Sequence, residues 1–299
     1  MDNFLIGHHN CFDEDKQARD YRDSFWGVEA CLMKSEEDVQ LLRKYKTEKN
    51  LNIGIHFPLR AGQWNHRDPQ YLSNCNEIRN QSYNYMSAEI EYAKQIDPNY
   101  ILLHYPKPVI LDERVDWHGR QWRFGDESEY FFESECDIDT FRKRSEDFFE
   151  WFSLKATENN FIPVIELDAI PTYIYETDML IQLLEKYPNI RLCMDIGRLH
   201  LQHMIDENFN SFKFLESVVH YVSEIHLWNI QVADKLYNSH HPALPTLEPS
   251  KGWADIEKYF AILSKANTKH KILFEHRSDV ISDSELEECY EWIFSMCNK

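Results

Sequence analysis

Eight short apolar or β-branched runs alternate with segments that carry helix signals, and this alternation limits the chain to very few architectures. The runs are FLIGHHN (4–10), WGVEACL (26–32), NIGIHFP (52–58), YILLHYP (100–106), IPVIELD (162–168), IRLCMDIG (190–197), VSEIHLW (222–228) and KILFEHR (271–277). Between them, SEEDVQLLRKYKTEK opens with a Ser-x-x-Asp capping box, and DIDTFRKRSEDFFEWFSLKATENN places apolar residues at three- and four-residue steps. Further helices fit 82–96, 176–187, 211–221, 253–265 and 283–296, while the short charged segment 11–25 argues against a full first helix. Strands buried on both faces read as near-continuous apolar runs, and eight of them alternating with helices predict a single (β/α)8 barrel over residues 1–299. A doubly wound open sheet is the alternative.

Composition narrows the function. A formal net charge of −19, from 51 acids against 32 bases, repels a polyanion and argues against a nucleic-acid partner. No apolar run approaches the roughly 20 residues of a membrane span, which argues against a membrane protein. The start MDNFLIGHHN has no basic leader region, and the seven cysteines are scattered with no CxxC pair, so a reduced, cytoplasmic protein is expected. Two loops are long, 59–81 and 107–137. Both follow predicted strands and are expected over the C-terminal rim. The second carries Trp117, Trp122, Phe124, Tyr130, Phe131 and Phe132, which read either as a lid or as packing.

The runs share a chemical feature. Toward its C-terminal end each carries an ionisable or metal-binding side chain: His8 or His9, Glu29, His56, His104, Glu166, Asp195, His226 and Glu275. In a barrel the inward positions near that rim converge on one small volume. Acids gathered there repel one another and lose hydration, so a cation must neutralise them. One such residue alone reads as a hydrogen-bonded core group. Glu166, Asp195, His226 and Glu275 on four successive late strands together predict a site for one divalent ion, with manganese, zinc, cobalt and magnesium all compatible.

The segments LLHYP, VIELD, LCMDIGRLH, EIHLWN, HHPALP and LFEHR stand in an order and spacing that resemble the xylose isomerase-like barrel superfamily, which includes sugar isomerases and epimerases and the endonuclease IV DNA-repair enzymes. The resemblance implies that Glu166, Asp195, His226 and Glu275 match the metal ligands of the ketose 3-epimerase branch, with Glu166 and Glu275 also serving as catalytic acid and base. It implies that His56 and His104 match positions where the endonuclease branch holds a second metal, and His240 a histidine of its third. Arg198 stands where the endonucleases have His, and Asn238 where they have Asp. A third metal site would lose two of its three ligands, which weakens a phosphodiesterase reading.

The expected function is therefore a metal-dependent sugar or sugar-phosphate isomerase or epimerase that moves a carbon-bound proton through an ene-diolate. The alternative is a metal-dependent hydrolase of the endonuclease IV-like branch, with His56, His104 and His240 at further metals or at substrate. A non-catalytic barrel that binds a small ligand is the third option. Arg198, Lys107 and Arg277 follow strand ends, as Arg60 does, and are candidates for contact with an acidic or phosphorylated small-molecule substrate; Arg198 reads equally as a salt bridge to a rim carboxylate. Gly197 is expected to permit a tight turn after Asp195.

Overall fold

The computed structural model describes residues 1–117, 129–266 and 269–298. Eight parallel strands form a closed barrel in chain order: β1 (Phe4–His9), β2 (Gly27–Cys31), β3 (Asn52–His56), β4 (Tyr100–Tyr105), β5 (Ile162–Leu167), β6 (Arg191–Asp195), β7 (Val222–Leu227) and β8 (Lys271–Phe274). The ring closes where Ile6 of β1 lies opposite Phe274 of β8. All eight predicted runs are barrel strands, and the fold is a (β/α)8 barrel.

Among the described residues the helices are α1 (Glu14–Asp20), α2 (Glu36–Lys49), α3 (Asn76–Ala93), α4 (Ile138–Asn159), α5 (Thr172–Tyr175), α6 (Met179–Lys186), α7 (Ile196–Ile205), α8 (Ser211–Val218), α9 (Ile256–Leu263) and α10 (Asp283–Cys297). None is long and apolar enough to cross a membrane. The α2 capping box forms as expected: Ser35 accepts from the Asp38 N–H, and the Asp38 carboxylate accepts from the Ser35 N–H. Helix α3 begins six residues earlier than its apolar spacing indicated, at a start with no side-chain cap to signal it. In the short charged segment 11–25 only a brief α1 forms, capped by Asp13, in keeping with the expectation of no full helix there.

Helix α7 escaped the sequence pattern because no loop precedes it. Asp195 is both the last residue of β6 and the residue whose side chain caps α7, accepting from the Arg198 N–H at 2.9 Å. Gly197 thus lies in the first helical turn, and the tight turn expected there does not occur. The glycine serves close packing instead, since a Cβ at this position would stand 2.3 Å from the Trp228 ring.

The core has two shells. Between barrel and helices, Phe141, Phe148, Phe149 and Phe152 of α4 pack with Tyr71 and Tyr105, all fully buried. Each such side chain contributes roughly 1.5–3 kcal/mol by leaving water. Inside the barrel, Leu5, Tyr100, Leu102, Val164, Cys193 and Leu273 form a plug. Tyr100 crosses the interior over Gly54, where a Cβ would meet its ring at 2.0 Å. Beyond β4, Val109–Leu111 pairs with Tyr130–Phe132, and Trp117 joins a separate cluster with Val109, Leu111 and Trp228. Phe131 packs against the main core. For these aromatic residues packing describes their role; Trp122 and Phe124 lie outside the described residues.

Candidate active site

Strand alternation brings the rim residues together. His104 of β4 lies opposite Glu166 of β5 in the parallel register, and Asp195 of β6 opposite His226 of β7. His226 Nδ1 stands 3.3 Å from Glu166 Oε2 and 3.2 Å from Glu275 Oε2. The two glutamates therefore meet at one imidazole nitrogen. Asp195, His226 and Glu275 each offer a ligand atom within 4.8 Å of the others, and Glu166 shares two further such groups, one with His56 and His104 and one with Cys193 and His226.

Glu166 is the hub. Its Oε2 lies 3.2 Å from His56 Nε2 and 3.6 Å from His104 Nε2, and its Oε1 lies 3.3 Å from Arg198 Nε. The far nitrogens of these imidazoles are held in turn: His104 Nδ1 by Asp68 at 3.0 Å, His56 Nδ1 by Arg67 at 3.3 Å and Cys31 at 3.6 Å. A carboxylate behind an imidazole, as Asp68 stands behind His104, fixes the ring orientation that metal ligation requires. His104 Nε2 and both nitrogens of His226 are buried without a hydrogen-bond partner, although each faces a carboxylate. A cation among these groups would satisfy them.

The electrostatics of the cluster is set by burial and by His226 standing among the acids. Burial alone would raise Glu275, but His226 beside it holds its pKa down at about 2. Burial raises Asp195 to about 7; Arg198 opposes the shift, and the neighbouring Glu166 and Glu275 add to it. Burial works against a charged His226, yet Cys193, Glu29 and the two glutamates push it well above the usual histidine value.

These groups surround a cavity of about 730 Å³ at the C-terminal mouth of the barrel. Glu275, His56, His104, His240, Lys107, Arg198 and Arg277 line it, whereas Glu166, Asp195 and His226 lie buried just beneath. The candidate substrate-contact cations are already engaged. Lys107 donates to Asp168 at 2.7 Å and lies 3.0 Å from Asp68. Arg198 bridges Asp168, Asp195 and Glu166. Arg277 is exposed and pairs with Asp279 at 2.8 Å. Arg60 lies off the cavity, on Glu89 and the Tyr92 ring. His240 stacks flat on Trp228, with ring centroids 4.1 Å apart, on a hairpin formed by Asn229–Val232 and Leu236–His241.

The sequence reading missed Arg67, Asp68 and Asp168. Asp168 was accessible, since it follows Glu166 by two residues and strand periodicity puts both on one face. Arg67 and Asp68 come from the 59–81 loop, which has no period to read.

No family model and no curated protein sequence matches the chain. Solved structures do. A D-tagatose 3-epimerase-like protein superposes with a TM-score of 0.62 at 13% identity, covering 99% of this chain and 98% of its own. The 3-keto-D-glucoside 4-epimerase of E. coli gives 0.60 at 11%, covering 98% and 99%. An AP endonuclease of family 2 from Brucella melitensis gives 0.57 at 14%, covering 96% and 97%. The fold is thus that of the xylose isomerase-like TIM barrel proteins.

Proposed function

We propose that this chain is a divalent-metal-dependent isomerase or epimerase of a sugar or sugar phosphate, in which Glu275 and Glu166 remove and return a carbon-bound proton. The observation that carries the reading is the approach of both carboxylates to His226 Nδ1 at the floor of a cavity whose size suits a small molecule. The solved structures of this fold that are epimerases support it.

The donor set fits a divalent ion, because two acids and an imidazole converge with Glu166 beside them and the imidazole nitrogens lack hydrogen-bond partners. Asp195, His226, Glu275 and Glu166 would hold it. Bound there, such an ion would polarise a substrate carbonyl and hold the adjacent hydroxyl. Glu275 faces the cavity and is ionised at neutral pH, so its carboxylate can accept a proton from substrate. Glu166 lies deeper, and its oxygens already face His56, His104, His226 and Arg198; it acts as the second proton carrier from below. Arg198 carries fixed positive charge at the place where an ene-diolate oxygen would develop negative charge. A net charge of −19 favours a small substrate over nucleic acid, and the protein is proposed to act in the cytoplasm.

A hydrolase is the second reading, favoured by one observation: His56, His104 and Glu166 form a second candidate ligand group next to the first. Arg198 and Asn238 remain against it. Incubation in deuterated water with ketoses and their phosphates, read by mass, tests the choice. Solvent exchange that disappears in Glu275→Gln supports the isomerase. Absence of exchange, together with two metals per chain and a metal-dependent phosphodiesterase activity lost in His104→Ala, replaces it with the hydrolase.

A further inference from the structure

Five lysine and arginine side chains line the cavity: Lys16, Arg67, Lys107, Arg198 and Arg277. Four are held by carboxylates, Arg67 by Asp68 and the others as described above. Lys16 of α1 forms no ion pair among the described residues. Its ammonium donates to the Gly7 carbonyl at 2.7 Å, which leaves two of a lysine's three donors to offer.

The acids near Lys16 make their contacts with other groups, although one oxygen of Asp20, Oδ1, is buried without a hydrogen-bond partner. Asp20, at the i+4 position on α1, accepts from Ser278 Oγ at 2.5 Å and faces Arg19 at 3.6 Å. Asp13 caps the helix by accepting from the backbone N–H of Lys16 itself. Asp279 holds Arg277, and Glu275 faces His226. Burial draws the lysine below its ordinary pKa. A second observation lies at the same corner, where β8 meets β1: His276 is buried, lines the cavity, and has an Nδ1 with no hydrogen-bond partner. Two nitrogen-bearing groups with unfilled hydrogen-bonding capacity thus border one end of the cavity, alongside Glu275.

We propose that Lys16 and His276 form a subsite for an anionic end of the substrate, a carboxylate or phosphate carried by the sugar. The subsite rests on the isomerase reading for the rest of the substrate. An ammonium with two unfilled donors and a neighbouring imidazole can receive the oxygens of one such group. The anion would lie on the β1 side of Glu275, with the reacting carbons over the floor formed by β5 to β8.

The test is titration of the full-length protein with inorganic phosphate and, separately, with glycolate, followed by calorimetry in the presence of a chelator so that no metal binds the probe. At least one probe should bind, and the tighter one identifies the anion. Lys16→Met should weaken binding tenfold or more, and Lys16→Arg should retain most of it. Lys213→Met, the same charge change on the exposed face of α8, should leave it within twofold. Equal binding in the parent and Lys16→Met, or no binding of either probe, overturns the subsite. The deuterium assay separates the two proposals. Exchange at equal kcat/KM for neutral and anionic ketoses removes the subsite and keeps the isomerase. Lys16-dependent probe binding without exchange on any ketose keeps the subsite and removes the isomerase.

Discussion

Deep in the barrel Glu224 is held by Lys271 at 2.8 Å and Glu29 by the Tyr100 hydroxyl at 2.6 Å, whereas at the mouth five carboxylates, Asp68, Glu166, Asp168, Asp195 and Glu275, share three cations among the described residues, Arg67, Lys107 and Arg198, in ion pairs. In the deep cluster each acid has a close donor, and Glu224 lies directly opposite Lys271 in the strand register. At the mouth the acids share their cations and imidazole nitrogens lack hydrogen-bond partners. Apart from the partly exposed Glu275 both clusters are buried, so burial alone does not distinguish them. The difference is closure: a satisfied buried pair keeps a barrel together, and an unsatisfied one waits for a ligand. Glu29 joins the two, since its Oε2 also lies 3.4 Å from His226 Nε2.

If that contrast holds, variants at the mouth alter chemistry and variants below alter stability. The largest effect is expected in Glu275→Gln and Glu166→Gln, each lowering solvent exchange by about 100-fold or more, the usual scale of a lost acid or base. A glutamine at either position that exchanges at the parental rate removes that residue from catalysis. Next, His226→Ala and Asp195→Asn should lower bound metal at least about tenfold by elemental analysis. The asparagine keeps the cap on α7, so thermal unfolding should stay near the parent. Unchanged metal in both would mean that the four-residue ligand set is wrong.

Below the mouth, Tyr100→Phe strips the Glu29 carboxylate of its donor and should cost about 1–3 kcal/mol in chemical denaturation, with metal content unchanged. Loss of metal in this variant would join the two clusters into one. The smallest effect concerns pH. Burial raises Glu224 to about 7 despite Lys271. The folded form then keeps a proton that the unfolded chain has already released, so this group's contribution is full below about pH 4 and is lost as the pH rises through 7. Glu224→Gln removes that loss. Its stability relative to the parent should be higher at pH 8 than at pH 5, by on the order of 1 kcal/mol. A difference of opposite sign would mean that the Lys271 pair keeps Glu224 ionised.

The strands were readable because burial on both faces forces a continuous apolar run and the ionisable residue marks its end, as VIELD and EIHLW show. Helix α7 was not, because its cap is also the last strand residue and no break in pattern announces it. The same economy misled the reading of Gly197, whose purpose is the Trp228 ring contributed from the end of β7, invisible from local sequence. In the candidate site, the late-strand acids and His226 were legible one by one. That Glu166 would be the hub for three imidazoles was not, since His56, His104 and His226 come from separate strands.

The barrel and the strand-end groups at its mouth are written in the sequence, because apolar period and strand-end chemistry are local properties of the chain, whereas Arg67 and Asp68 of the 59–81 loop are not. Which charges are spoken for emerges only from the folded arrangement. Lys107 and Arg277 read alike in sequence, each a cation after a strand, yet one is buried between two acids and the other lies exposed on Asp279, while Lys16, without any such signal, is left with donors to offer. Pairing is set by which side chains approach within a few ångströms: Asp68 reaches His104 across 36 residues of chain, Asp168 reaches Lys107 across 61, and Ser278 reaches Asp20 across 258.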